Sequence, residues 1–171
     1  MLGVSVSPMA EGDSMPVDGP VVTLHVGTPK SGTTFLQREL SRNRGALREA
    51  GLLYPGSNPS HFIEAMSLRE RGFKGHHYEA SDGAWDRMAA EVNAFAGPAL
   101  VSHEMIGGSE RSVIQRAVAS FPGARVQVVV TCRDLGRQLP AVWQEGVKNG
   151  DTTSYADFLA RGLEGWTGLS S

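Results

Sequence analysis

Cysteine is almost absent from this 171-residue chain, and Cys132 stands alone. One thiol cannot close an intramolecular disulfide, so a disulfide-stapled scaffold is excluded and a reducing compartment is expected. Lysine is scarce: of the 16 basic residues 3 are Lys and the other 13 Arg. Neither sign of charge is in excess. The formal net charge of -2 excludes a nucleic-acid binder that works by bulk electrostatics, while leaving room for local anion sites. Long apolar runs are missing as well, and none approaches the roughly 18 residues needed to span a bilayer. The N-terminus has neither the basic start nor the unbroken apolar stretch of a signal peptide. A soluble, cytoplasmic protein without a membrane span is therefore expected. What remains is globular: 40% hydrophobic and 20% charged residues, in a length that suits one domain. Such a chain buries about two thirds of its unfolded surface and needs no metal or disulfide to fold.

Residues 1 to 20 form the first composition shift. They carry Glu11, Asp13 and Asp18 without any Lys or Arg, and Pro8, Pro16 and Pro20 break every periodic pattern. A disordered leader is expected there. From Val21 onward the pattern alternates. VVTLHV (Val21 to Val26), PALVS (Pro98 to Ser102) and RVQVVVTC (Arg125 to Cys132) read as strands, the first and third as buried parallel ones. Between them lie helical patterns. Phe35, Leu36 and Leu40 share one face; Ile63, Met66 and Leu68 another; Trp85, Met88, Val92 and Phe95 recur at helical spacing. The segments 109–121 and 135–149 continue the series, the latter containing Pro140, and Ser154 with Asp157 has capping-box spacing ahead of a last helix. Strands alternating with helices predict a P-loop-like, three-layer α/β domain over residues 21–171 with a mainly parallel sheet.

The chemistry is concentrated just after the first strand, in GTPKSGTT (Gly27 to Thr34). Gly27 and Gly32 are separated by four residues, and Thr33 and Thr34 follow at a helix start. That is phosphate-loop spacing, in which backbone N–H groups and a helix N-terminus cradle an anion. The ATP-binding pattern would put Lys where Thr33 stands; here the lysine is Lys30, inside the loop, still a point charge beside the anion.

The segment LHVGTPKSGTTFLQ resembles the 5′-phosphosulfate loop of sulfotransferases that use 3′-phosphoadenosine 5′-phosphosulfate (PAPS). The resemblance implies that Lys30 contacts the bridging oxygen of the phosphosulfate and stabilises the leaving phosphate. It implies that Ser31, Gly32, Thr33 and Thr34 bind the 5′-phosphate. The family places an Arg after its third strand and a Ser eight positions later, both on the 3′-phosphate. Arg133 occupies the first position and Ala141 the second, so one hydroxyl contact is missing; a hydrogen bond to a charged group is worth about 1.5–3 kcal/mol. Bacterial members resembling this chain carry Ser-x-Glu at the end of the second strand, which makes Glu104 the first candidate for the base that deprotonates the acceptor. His103 is the second, since an unperturbed imidazole suits that task. A helix cap built from Ser102 and Glu104 is the plainer alternative for the same residues.

By resemblance, then, the chain transfers a sulfuryl group from PAPS to a hydroxyl or amine on a small-molecule or glycan acceptor, with no metal and no nucleic-acid partner. The acceptor itself, whether carbohydrate, lipid or phenol, and the oligomeric state are left open. The resemblance spans residues 21 to 162, whereas the family domain continues with further helices and a basic, glycine-containing segment. A C-terminally truncated domain with impaired turnover is therefore expected, and an inactive nucleotide-binding remnant is one alternative. A P-loop kinase or NTPase is another, with Asp134 as a magnesium ligand. His61, His76 and His77 read as solvated loop residues, His25 as a satisfied core histidine, and Cys132 as an unactivated thiol at the edge of a buried strand.

Overall fold

The computed structural model describes residues 19–70 and 79–167. The fold is mixed α/β. Three strands, β1 (Val21–His25), β2 (Ala99–Ser102) and β3 (Arg125–Val129), form a wholly parallel sheet in the order β2-β1-β3 among the described residues. Leu53 adds a single parallel bridge to Ala99 outside β2. β1 is central because its β-branched residues have a partner on both edges. Val22 faces Ala99 and Val126, while His25 faces Ser102 and Val129.

Between β1 and β2 the chain forms α1 (Thr33–Arg42), α2 (Arg44–Glu49), α3 (Phe62–Arg69) and α4 (Ala84–Asn93), with a 3-10 turn at Glu79–Ser81. The short α5 (Glu104–Gly107) and α6 (Arg111–Ala119) connect β2 to β3, and α7 (Leu135–Lys148) and α8 (Tyr155–Thr167) follow. The alternation of side chains along a strand puts Val22, Leu24, Ala99 and Val101 on one face. All four are buried in a single core with Leu68 of α3, Trp85, Met88 and Val92 of α4, Ile106 of α5 and Ala117 of α6. The i, i+3, i+7 repeat of α4 thus faces inward as its spacing predicts. In α8, Asp157 N donates to Ser154 Oγ and that hydroxyl donates back to Asp157 Oδ2, so the capping-box spacing is realised.

Several expectations need correction. β3 ends at Val129 instead of Cys132, and it is an exposed edge strand: Val128 and Val129 are 58% and 43% exposed. Its β-branched run satisfies strand propensity, but no element covers its outer edge among the described residues. Cys132 is accordingly exposed. On α1 the apolar face is the wet one, with Phe35 63% exposed, whereas Thr33 and Gln37 are buried. α1 sits with its first turns against the polar ends of β1 and β2, so polar side chains meet polar partners there. His61 is fully buried, not a solvated loop residue. His76, His77 and nearly all of the 1–20 leader lie outside the described residues.

Candidate functional site

The segment after β1 stays in the sheet's hydrogen-bond ladder for three more residues. Val26 N donates to Val129 O and Thr28 N to Thr131 O, each at 2.9 Å. The chain then turns sharply. Ser31 N donates to Thr28 O at 3.1 Å, and Lys30 and Gly32 both adopt left-handed backbone, with φ of 64° and 95°. Gly32 accepts this without strain, while Lys30 as a non-glycine pays on the order of 1–2 kcal/mol. Gly27 is required for a different reason: a Cβ there would collide with Thr33 Cγ2 and stand 2.5 Å from Thr131 Oγ1. The loop therefore packs against the start of α1 and the end of β3 more closely than any side chain permits. The amides of Gly32, Thr33 and Thr34 have no hydrogen-bond partner among the described residues, as expected for the first turn of a helix.

A cavity of about 430 Å³ opens over this turn. It brings together Lys30, Gly32, Thr33 and Thr34 from the loop, Glu104 from the end of β2, and Arg133, Ala141 and Glu145 from the β3–α7 connection and α7. Lys30 and Arg133 are far apart in sequence yet line the same space as the first-turn amides. That arrangement presents donors and positive charge to an anion. Two carboxylates share the space. Glu145 Oε2 accepts from Lys30 Nζ at 2.8 Å, with both side chains substantially exposed. Glu104 Oε2 accepts from Thr33 Oγ1 at 3.4 Å and Gln37 Nε2 at 3.5 Å.

No family model, no curated protein and no solved structure matches the chain. The chemistry of the site stands on its own residues.

Ser31 does not line the cavity; its hydroxyl lies 3.3 Å from Thr131 Oγ1, beneath the loop. Thr131 Oγ1 in turn is 3.0 Å from His25 Nε2, and His25 Nδ1 is 2.7 Å from Ser102 Oγ. Gln37 Nε2 reaches both Ser102 Oγ and Ser102 O. A buried chain of polar contacts thus runs from the loop, under the sheet end, to the groups holding Glu104. Burial lowers the His25 pKa, opposed by the nearby Glu104 charge, so this imidazole is neutral in the network. His25 is a satisfied core histidine, at the end of its strand.

His103 does not line the cavity either. It is buried, its Nδ1 accepts from Met105 N at 3.2 Å as the N-cap of α5, and its Nε2 lies 3.9 Å from Glu104 Oε2. Burial lowers its pKa although Glu104 pulls the other way. The cap of α5 is thus His103, while Ser102 serves the buried chain. His61 fixes the strand from the other side: its Nε2 donates to Pro55 O and its Nδ1 accepts from Ser102 N, each at 2.9 Å. Asp134 is committed to α7, where Oδ1 accepts from Arg137 N at 3.0 Å. No group of three or more His, Cys, Asp or Glu among the described residues is placed to hold a metal ion.

Two residues of the site carried no signal in the loop motif. Gln37 stands one helical turn after Thr33, and a polar pair at i, i+4 on an otherwise amphipathic helix is the pattern that marks it. Glu145 lies 115 positions from Lys30, and only the fold pairs them.

Proposed function

We propose that the chain is a P-loop-like α/β domain that binds the 5′-phosphosulfate of PAPS on Lys30, Gly32, Thr33 and Thr34, and transfers its sulfuryl group to an acceptor hydroxyl or amine. The carrying observation is the convergence of Lys30, three unpartnered first-turn amides, Arg133 and Glu104 on one 430 Å³ cavity. Cation, amides and carboxylate are the three things the reaction needs in one place. The cation and amides hold the charge that develops on the leaving phosphate. The carboxylate of Glu104, held by Thr33 and Gln37, takes the acceptor proton. The acceptor oxygen or nitrogen then forms its bond to sulfur as the sulfur–phosphate oxygen bond breaks, and 3′-phosphoadenosine 5′-phosphate (PAP) leaves with that electron pair. Glu104 is preferred over His103 because it lines the cavity whereas His103 is buried as a helix cap.

Arg133 lines the same cavity as Ala141, so the 3′-phosphate would meet a guanidinium without a second hydroxyl beside it. Charge balance also tempers affinity: Lys30 and Arg133 share the cavity with Glu104 and Glu145. Modest PAP binding follows. The test is calorimetric titration of PAP, and of ATP with and without magnesium, into the parent chain and the Lys30→Ala and Arg133→Ala variants, followed by transfer of labelled sulfate from PAPS. PAP binding that falls in both variants supports the reading. Magnesium-dependent ATP binding with indifference to PAP overturns it in favour of a kinase or NTPase.

A further inference from the structure

Glu104 and Pro29 line two cavities at once. One is the polar cavity over the loop; the other is a neighbouring groove of about 460 Å³. The two differ sharply in chemistry. The groove is lined by Val26, Met105 and Val130 together with Gly107, Gly108 and the hydroxyl-bearing Thr28. The two glycines differ: a Cβ on Gly108 would meet nothing within 4 Å, whereas one on Gly107 would stand 3.0 Å from Val26 Cβ. The remaining charged lining residue besides Glu104 is Arg69, from the last turn of α3. Arg69 makes no ion pair or hydrogen bond with the described residues. A groove of this volume is the size of small-molecule sites, in which apolar walls bind the body and a few polar groups orient it.

Resting on the sulfuryl-transfer reading, we infer that this groove is the acceptor site, and that it takes a hydroxylated acceptor with an apolar body and one anionic group. Its hydroxyl lies at Glu104, where groove and donor cavity meet; its body lies along Val26, Met105 and Val130; its anion pairs with Arg69. Sugars are disfavoured, because the largely apolar lining leaves most of their hydroxyls without partners and each unmade hydrogen bond is costly. Anionic aryl alcohols are favoured over neutral ones by the Arg69 guanidinium, which has no ion-pair partner among the described residues.

Three acceptors test this: 6-hydroxy-2-naphthoate, 2-naphthol and glucose. Sulfate transfer from PAPS is expected in the order naphthoate, naphthol, glucose, with a KM for naphthoate at least tenfold below that for naphthol. Arg69→Gln is expected to collapse that ratio toward one with little effect on naphthol. Gly108→Leu is expected to raise both aryl KM values about tenfold, with PAP affinity and thermal melting unchanged. Where turnover is too slow to follow, naphthoate fluorescence titrated into the PAP-saturated chain gives the same comparison as dissociation constants. Glucose used as well as naphthoate, or a naphthoate-to-naphthol ratio unmoved by Arg69→Gln, overturns the inference. So does PAP binding without any naphthoate binding, which leaves the donor reading intact. Absence of PAP binding overturns the donor reading, and the acceptor role falls with it.

Discussion

Replacing Glu145 by Gln should make the chain bind PAP more tightly. Glu145 holds Lys30 at 2.8 Å, and an incoming phosphate must break that pair. The pair is substantially exposed, so its rupture costs about 0.2–1 kcal/mol. Glu145 also lines the cavity and repels the bound anion. For unit charges about 4 Å apart in nearly bulk water such repulsion is about 1 kcal/mol for each phosphate charge. Together the two effects amount to about 1–2 kcal/mol, which is roughly a 5–30-fold gain in affinity. Gln keeps the length and polarity of the side chain and removes only its charge. Calorimetric titration of PAP at low and high salt reads the effect. The gain should shrink at about 1 M salt, where the Debye length falls to about 3 Å. Unchanged or weaker PAP binding in Glu145→Gln at low salt would refute the assignment of Lys30 as the anion's cation.

Other substitutions probe different parts of the site. Ala141→Ser adds a hydroxyl to the cavity beside Arg133 and is expected to tighten PAP up to about tenfold while leaving adenosine 5′-phosphate unaffected; equal gains for both nucleotides would detach Arg133 from the 3′-phosphate. Gly27→Ala forces a methyl against Thr33 and Thr131 and should cost about 1–3 kcal/mol, seen as a melting temperature lower by several degrees. Stability should also fall as pH drops from about 6.5 toward 4. His61 is held neutral by burial, with its pKa lowered from 6.5 to about 4, so across that window the unfolded chain binds the proton that the folded chain refuses. The full shift corresponds to about 3 kcal/mol, and His25 and His103, both lowered by burial, act in the same direction. Burial raises the Glu64 carboxyl and offsets part of the loss at the acid end. Urea melts at pH 7 and pH 4.5 measure the slope, which His61→Gln should flatten; an unchanged slope would mean another group carries it.

The tight turn from β1 into α1 was legible because its signal is local: two glycines, a lysine and two threonines between a β-branched run and a helix start. Arg133 and Glu104 were legible for a related reason, since each follows a strand, and strands in one parallel sheet bring their ends to one edge. The inward face of α4 followed from its period. What periodicity cannot carry is the identity of the neighbour. The valines of β3 read as a buried strand, but burial depends on what lies beside an edge. Phe35 and Leu36 form an apolar stripe, yet α1 turns Thr33 and Gln37 inward because the strand ends it meets are polar. His61 finds its partners on Pro55 and Ser102, and the second of these is a tertiary contact with no sequence signature. The Lys30–Glu145 pair belongs to the same class.

Titration of PAP into the parent chain and into Lys30→Ala and Arg133→Ala bears most directly on whether this cavity is the nucleotide site. Saturable PAP binding is expected, weakened in each variant by about 1.5–3 kcal/mol, or roughly 10–150-fold. PAP affinity identical in all three proteins, or no binding to the folded parent, would contradict it.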